Sequence, residues 1–199
     1  MKTSSRHIFN LISVVLLACS SLSAEYAGAG GGLSADASSY YPLSVGNTWH
    51  YRCGTEGEEH FEKLITVVGR ETGGGNSYFK LEQRVKQRRL IFYLWSDGAG
   101  NILRSLSSEG KRARVIAAQQ MKVGEMYGAD RATREQVLTT PATGSITALV
   151  VENYNPDDLG LTQEQRNEWQ GRFFVRGIGM VSEGDGLGGE CILVKYELK

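Results

Sequence analysis

Ser77-Tyr78-Phe79-Lys80-Leu81-Glu82-Gln83-Arg84-Val85-Lys86-Gln87 changes character at almost every step. Phe79, Leu81 and Val85 share one parity, and Lys80, Glu82, Arg84, Lys86 and Arg88 take the other. A period of two sends successive side chains to opposite faces of a sheet. The stretch therefore reads as a strand with one apolar and one charged, wet face, the pattern of an antiparallel sheet. Leu90 to Trp95 follows as a second strand. Ser96-Asp97-Gly98-Ala99-Gly100-Asn101 is a hairpin turn into a third, Ile102 to Leu106.

The same signals extend in both directions. Upstream, Tyr40 to Arg52 reads YYPLSVGNTWHYR. Pro42 blocks a helix there, and Val45-Gly46-Asn47 is a turn before the aromatic strand Thr48 to Arg52. Phe61 to Val68 is a strand apolar on both faces, and Gly69 to Asn76 a glycine-rich loop. Downstream, the alanines of Arg112 to Gln120 favour a helix, but Val115 and Ile116 give it no lasting stripe. Thr133 to Thr139 and Ser145 to Val151 flank a reversal at Pro141-Ala142-Thr143-Gly144. Thr162 heads a short helix over Gln163 to Gln170, with Gln165 at capping-box spacing. Arg172 to Arg176 is a strand continued through a bend at Gly177-Ile178-Gly179-Met180. Glu183 to Glu190 is an acidic, glycine-rich turn, and Cys191 to Leu198 a closing strand. No βαβ rhythm is present. The expected fold is mainly β: a strongly curved antiparallel sheet or partly open barrel with one or two short helices. A β-rich α+β fold and a two-sheet sandwich are the competitors. Met121 to Tyr127 also echoes Leu43 to Trp49, both carrying Val-Gly-x-x-aromatic, which suggests two similar half-units.

The amino-terminal end has a different character. Lys2, Arg6 and His7 precede an apolar stretch, Ile8 to Ala18, broken by Asn10 and Ser13. This is the length of a signal peptide and shorter than the roughly 20 residues a bilayer span needs. Residues 20–39 hold too few large apolar side chains to offset the entropy of ordering, so they read as a tether with ends roughly 25 Å apart. The organisation expected is a signal over 1–18, a tether over 19–39 and one β-rich domain over 40–199. Removing the signal takes away Lys2 and Arg6 and no acid, leaving 22 − 2 = 20 basic against 22 acidic side chains. Such a balance exerts no long-range pull on nucleic acid.

Leu16-Leu17-Ala18-Cys19 resembles the lipobox of bacterial lipoproteins. The resemblance implies a diacylglycerol on the Cys19 thiol, cleavage just before it, and further acylation, palmitate-like, of the new amino terminus. Ser20 is not the aspartate that retains such proteins at an inner membrane, so an outer membrane is implied where the cell has one, with the folded body in the periplasm or at the surface. Several acyl chains matter, because one alone gives marginal binding. Export also permits a disulfide. Cys53 and Cys191 remain near opposite ends of the folded part and are expected to bond to each other, closing the first and last strands of the sheet together; two separate buried thiols are the alternative.

Three marks, YYPLSVGNTWHYR, Lys122-Val123-Gly124-Glu125-Met126-Tyr127 and Phe174 to Val181, resemble those of a loose group of β-rich bacterial envelope proteins with PLxxGNxW, xVGxxW and YxxGxGxV. Tyr127 stands where that group usually has tryptophan. The resemblance implies fold and location and carries over no catalytic residue. Within the marks, Gly46, Gly124, Gly177 and Gly179 permit unusual backbone angles, and Trp49 and Tyr127 are core plugs or a floor for a ligand.

Reactive constellations are sparse. His50 and His60, with Glu58 or Glu59, lack a third fixed partner for a metal. Glu183-Gly184-Asp185-Gly186 lacks the ligand spacing of a calcium loop, and neither a GxSxG elbow nor a phosphate loop occurs. No metal or cofactor is expected. Lys80, Arg84, Lys86, Arg88 and Arg89 form a basic cluster near Phe92, Tyr93 and Trp95, a candidate contact face for an anionic surface; the export signal argues against nucleic acid. The expected function is a non-catalytic binding or assembly module, held to a membrane by its lipid anchor and contacting another envelope protein or an apolar ligand. An envelope hydrolase with a scattered site and a structural part of a surface assembly are the alternatives. Cys19→Ser is expected to abolish incorporation of labelled fatty acid and to shift the protein from membrane to soluble fractions; unchanged labelling would reject the lipobox.

Overall fold

The computed structural model describes residues 39–55, 57–73, 75–153, 171–184 and 189–199. The expected signal, the tether up to residue 38 and the helix headed by Thr162 lie outside the described residues. Twelve strands form one sheet: β1 (Thr48–Thr55), β2 (Phe61–Gly73), β3 (Asn76–Val85), β4 (Arg88–Ser96), β5 (Asn101–Ser105), β6 (Arg114–Ala118), β7 (Met126–Tyr127), β8 (Asp130–Thr140), β9 (Gly144–Asn153), β10 (Gly171–Val175), β11 (Gly179–Gly184) and β12 (Gly189–Glu197). Their spatial order is β6-β5-β4-β3-β2-β1-β12-β11-β10-β9-β8-β7, with each pair antiparallel. The sheet curls until β6 and β7 approach each other, giving a nearly closed barrel. Among the described residues there is no helix.

One stretch that the sequence leaves open is settled by the structure, and one departs from the expectation. The alanine-rich segment forms β6, because pairing with β5 buries Ile116, Ala117 and Ala118 in the core, and burial outweighs a weak helical preference. The loop expected from Gly69 is instead the far half of β2. A bulge at Val68 sits between Val67↔Leu81 and Gly69↔Lys80. It turns Val68 to solvent and lets the strand continue in register.

The order is two six-strand meanders, β1 to β6 and β7 to β12, joined at β1–β12. The repeated Val-Gly motif opens each one. Asn47 N donates to Ser44 O at 3.0 Å, and Glu125 N to Lys122 O at 3.2 Å. Gly46 (φ 95°) and Gly124 (φ 93°) occupy the third positions of these turns, where a type II turn requires the left-handed region. Each turn then clamps its meander's second strand through two backbone bonds. Gly46 N donates to Val67 O and Val67 N to Asn47 O; Gly124 N donates to Ala132 O and Ala132 N to Glu125 O. Val67 and Ala132 are both fully buried. The sequence echo is thus a structural repeat.

Alternation along the order makes β1, β3, β5, β7, β9 and β11 run in one direction. Their leading turns gather at one end of the barrel, and the amino-terminal segment crosses it. Tyr40 N donates to Gln119 O and Gly177 N to Ser39 O. Tyr40, Leu43 and Met121 are buried there. Asn47, itself fully buried, donates through Nδ2 to Pro42 O, and its Oδ1 accepts from Lys199 N. One amide side chain thereby ties both ends of the domain to this cap.

Cys53 and Cys191 are direct partners in the β1–β12 register and form a disulfide. The bond spans 138 residues of sequence, so it restricts the unfolded chain strongly. Cys53→Ser with Cys191→Ser is expected to lower stability by about 2–5 kcal/mol. That corresponds to a fall in Tm of roughly 5–15 °C for a domain of this size, read by calorimetry under non-reducing conditions. An unchanged Tm would show that the seam holds without the bond.

Candidate functional site

Barrel strands alternate between interior and exterior, and the register assigns each side chain. Trp49, Tyr51 and Cys53 point inward from β1; across β2 they face Ile65, Lys63 and Phe61. A lysine therefore stands inside the barrel, buried. Its ammonium pairs with Glu183 of β11 and lies 5.2 Å from the Tyr51 ring centroid. Glu183 opposes Arg172 of β10, so Arg172 is also inward. It pairs with Asp130 and rests 5.9 Å from the Phe174 ring centroid.

The opposite wall contributes more charge. Arg104 of β5 opposes core residue Leu94 on one side and Arg114 of β6 on the other. Its guanidinium lies over the Phe92 ring, 4.4 Å from the centroid. Tyr41 enters from the capping segment, its ring 6.0 Å from that of Phe174. Arg104 and Arg172 belong to opposite meanders, yet both act on the Tyr41 phenol. Burial pushes Tyr41 up and Tyr51 further up, so both remain neutral hydroxyls; the Tyr51 hydroxyl donates to Met180 O at 2.9 Å. Burial also lowers Arg104 from its ordinary value, and Arg114 and Arg172 add to that while Tyr41 and Glu183 oppose it. The result is an interior patch of cationic and aromatic side chains. Among the described residues no histidine, cysteine and carboxylate group could hold a metal.

The residues singled out from sequence are distributed around this patch. Trp49 is buried beside the cap and donates from Nε1 to Ile178 O at 2.6 Å. Gly179 lies against that indole, and Gly177 receives the capping segment. Tyr127 is buried at the start of the second meander; its hydroxyl accepts from Lys122 N and donates to Glu125. Burial and the Glu125 bond push its phenol up to about 12. His50 has the parity opposite to Trp49 and Tyr51, and His60 is an exposed loop residue. Cys19 lies outside the described residues.

Three members of the basic cluster, Lys80, Arg84 and Arg89, are on the outer face and are met by carboxylates. Lys80 pairs with Glu71, while Arg84 and Arg89 both bind the buried Glu82. These guanidiniums hold the Glu82 carboxyl below its usual range. Lys86 occupies a two-residue turn and lies 5.0 Å from the Phe61 ring centroid. That turn reverses the chain, so Arg88 opposes Val85 and it is Arg89 that stands beside Arg84. Arg88 therefore has the inward parity, contrary to the sequence reading, which ran one alternation through the turn.

Sequence reasoning missed the interior patch altogether. One signal was available: in Asn101-Ile102-Leu103-Arg104-Ser105 the arginine shares its parity with Ile102, which is fully buried.

No protein-family model and no curated protein matches the chain. Two solved structures resemble it. The first is a protein of Parabacteroides distasonis described, by inference, as a lipoprotein: TM-score 0.52 at 8% identity, covering 80% of this chain and 99% of that one. The second is a protein of Bacteroides fragilis described, also by inference, as exported and as having a YmcC-like fold: TM-score 0.46 at 10% identity, with the same coverages. The first establishes a shared fold class.

The Lys63–Glu183 pair is unequal, the lysine side chain being 9% exposed and the glutamate 35%. Removing the glutamate strands a buried ammonium, whereas removing the lysine leaves a carboxylate that water reaches. Glu183→Gln is expected to cost about 1–3 kcal/mol, discounted for that exposure. Lys63→Met, which keeps an unbranched apolar stem against Tyr51, is expected to cost less. Urea unfolding of both variants measures the difference, and equal losses would contradict the asymmetry.

Proposed function

We propose that the chain is an envelope lipoprotein whose barrel is a non-catalytic binding module, acting on a small ligand or on a group of another envelope protein. The observation that carries this reading is the interior patch: Arg104, Arg172, Lys63 and Tyr41 gathered from both meanders onto Phe92, Phe174 and Tyr51. A barrel needing only a stable core would fill those positions with aliphatic side chains, because interior charges carry a desolvation cost. Their presence fits a site that contacts something polar. The sharp turns, disulfide and cap then serve to hold the wall rigid around it.

Envelope location draws on three supports. They are the lipobox-like Leu16-Leu17-Ala18-Cys19, a disulfide suited to an oxidising compartment, and a fold shared with a protein described by inference as a lipoprotein. In this reading acylated Cys19 anchors the chain, in the outer membrane where one exists. The tether reaches the barrel at the capped end, through Ser39 and Tyr40.

Native mass spectrometry of the protein extracted from its own envelope tests the binding role. The expected result is a discrete non-covalent ligand mass on the mature chain, diminished in Tyr41→Ala. A chain that carries no ligand and forms no complex with any envelope component would overturn it.

A further inference from the structure

Three ion-paired arrangements account for most of the charge described above. Lys63 is met by Glu183, Arg172 by Asp130, and the outer pair Arg84 and Arg89 by Glu82. The last is instructive. Arg84 and Arg89 are direct cross-strand partners on β3 and β4. Like charges so placed repel each other, and a single carboxylate from the neighbouring position relieves the repulsion by binding both. Arg104 and Arg114 are direct cross-strand partners on β5 and β6, so their side chains also leave the same face. Among the described residues neither guanidinium is in an ion pair. Arg104 has Phe92 beneath it instead, and the charged groups that act on it across the barrel are the Glu183 carboxylate, already paired with Lys63, and another cation, Arg172. The Tyr41 hydroxyl, within electrostatic reach of Arg104 and Arg172, takes part in no hydrogen bond among the described residues. The molecule therefore contains the same two-arginine arrangement twice, once with its carboxylate and once without.

We infer that Arg104 and Arg114 form an oxyanion-binding subsite inside the barrel, accepting a carboxylate or phosphate group of the ligand over Phe92 and beside Tyr41. This rests on the binding-module reading and gives that module's ligand its chemical class. Guanidinium forks donate in parallel to two oxygens of one oxyanion, and two facing forks can bracket it. A neutral phenol can add a donor, and the aromatic floor accommodates the carbon skeleton next to the anion. Arg104 sits deeper than Arg114, half-buried against exposed, so the anion approaches past Arg114 and settles on Arg104. Partial burial reduces salt screening at Arg104 relative to the outer face.

Isothermal titration of the mature, disulfide-bonded protein in low-salt buffer tests this with three probes: inorganic phosphate, benzoate and benzyl alcohol. Saturable binding of phosphate or benzoate is expected, with benzyl alcohol much weaker. The ratio of phosphate to benzoate affinity tells which oxyanion the site prefers. Arg104→Gln and Arg114→Gln each are expected to weaken binding about tenfold or more, while Lys111→Gln, on an exposed loop, leaves it unchanged. Circular dichroism checks that the variants fold. Because they lose a repulsive partner, their Tm without anion is expected to match or exceed that of the parent protein. Benzyl alcohol binding as tightly as benzoate would overturn the oxyanion assignment while leaving the barrel a binding module. Binding of none of the probes, or binding untouched by Arg104→Gln, would also overturn it.

Discussion

The pairing of β1 with β12 is the constraint on which the molecule depends. Each meander of six strands is local: every strand in it pairs with a sequence neighbour. Among the strand pairings, β1–β12 alone joins the two ends of the domain, and closing so long a loop carries an entropic cost. The register supplies the compensation at one place, with Trp49 opposite Tyr196, Tyr51 opposite Leu193 and Cys53 covalently joined to Cys191. Without that seam the sheet would be two open ribbons with exposed edges, and the interior defined by both would not exist.

Once the seam is closed, parity decides which side chains share the interior. Lys63 faces inward because Tyr51 does, Glu183 because it opposes Cys191, and Arg172 because it opposes Glu183. This chain of registers spans five strands and brings opposite charges together without any of them being near in sequence. The same logic places Arg104 and Arg114 on one face with no carboxylate between them. Local alternation and global closure thus combine to make a polar interior in a fold whose remaining core is apolar.

The repeated Val-Gly turn shows how a short motif can carry topology. Gly46 and Gly124 each take the third position of a backbone turn and clamp the second strand that follows, fixing how each meander starts. Both glycines lie at the same end of the barrel as the incoming chain, and the cap of Tyr40, Leu43 and Met121 is built between them. The two turns present Val45 and Val123 to solvent to nearly the same extent, 51% and 52%, as expected when the same geometry is used twice.

The amino-acid sequence alone determined the strand content, most strand positions, the curved antiparallel fold and the two-part echo, because period-two alternation and turn chemistry are local properties. It also paired Cys53 with Cys191 and so joined the first and last strands, as the structure does. It misplaced Arg88 because alternation does not carry through a two-residue reversal. It gave the alanine-rich segment no clear state because alanine suits either conformation until burial decides. The interior patch was not legible: Lys63, Arg104, Arg172 and Glu183 are ordinary charged residues within their own strands. Only closure of the barrel, through registers spanning the whole domain, turns them toward one another, since the energy of a buried charge depends on distances that no local stretch of sequence contains.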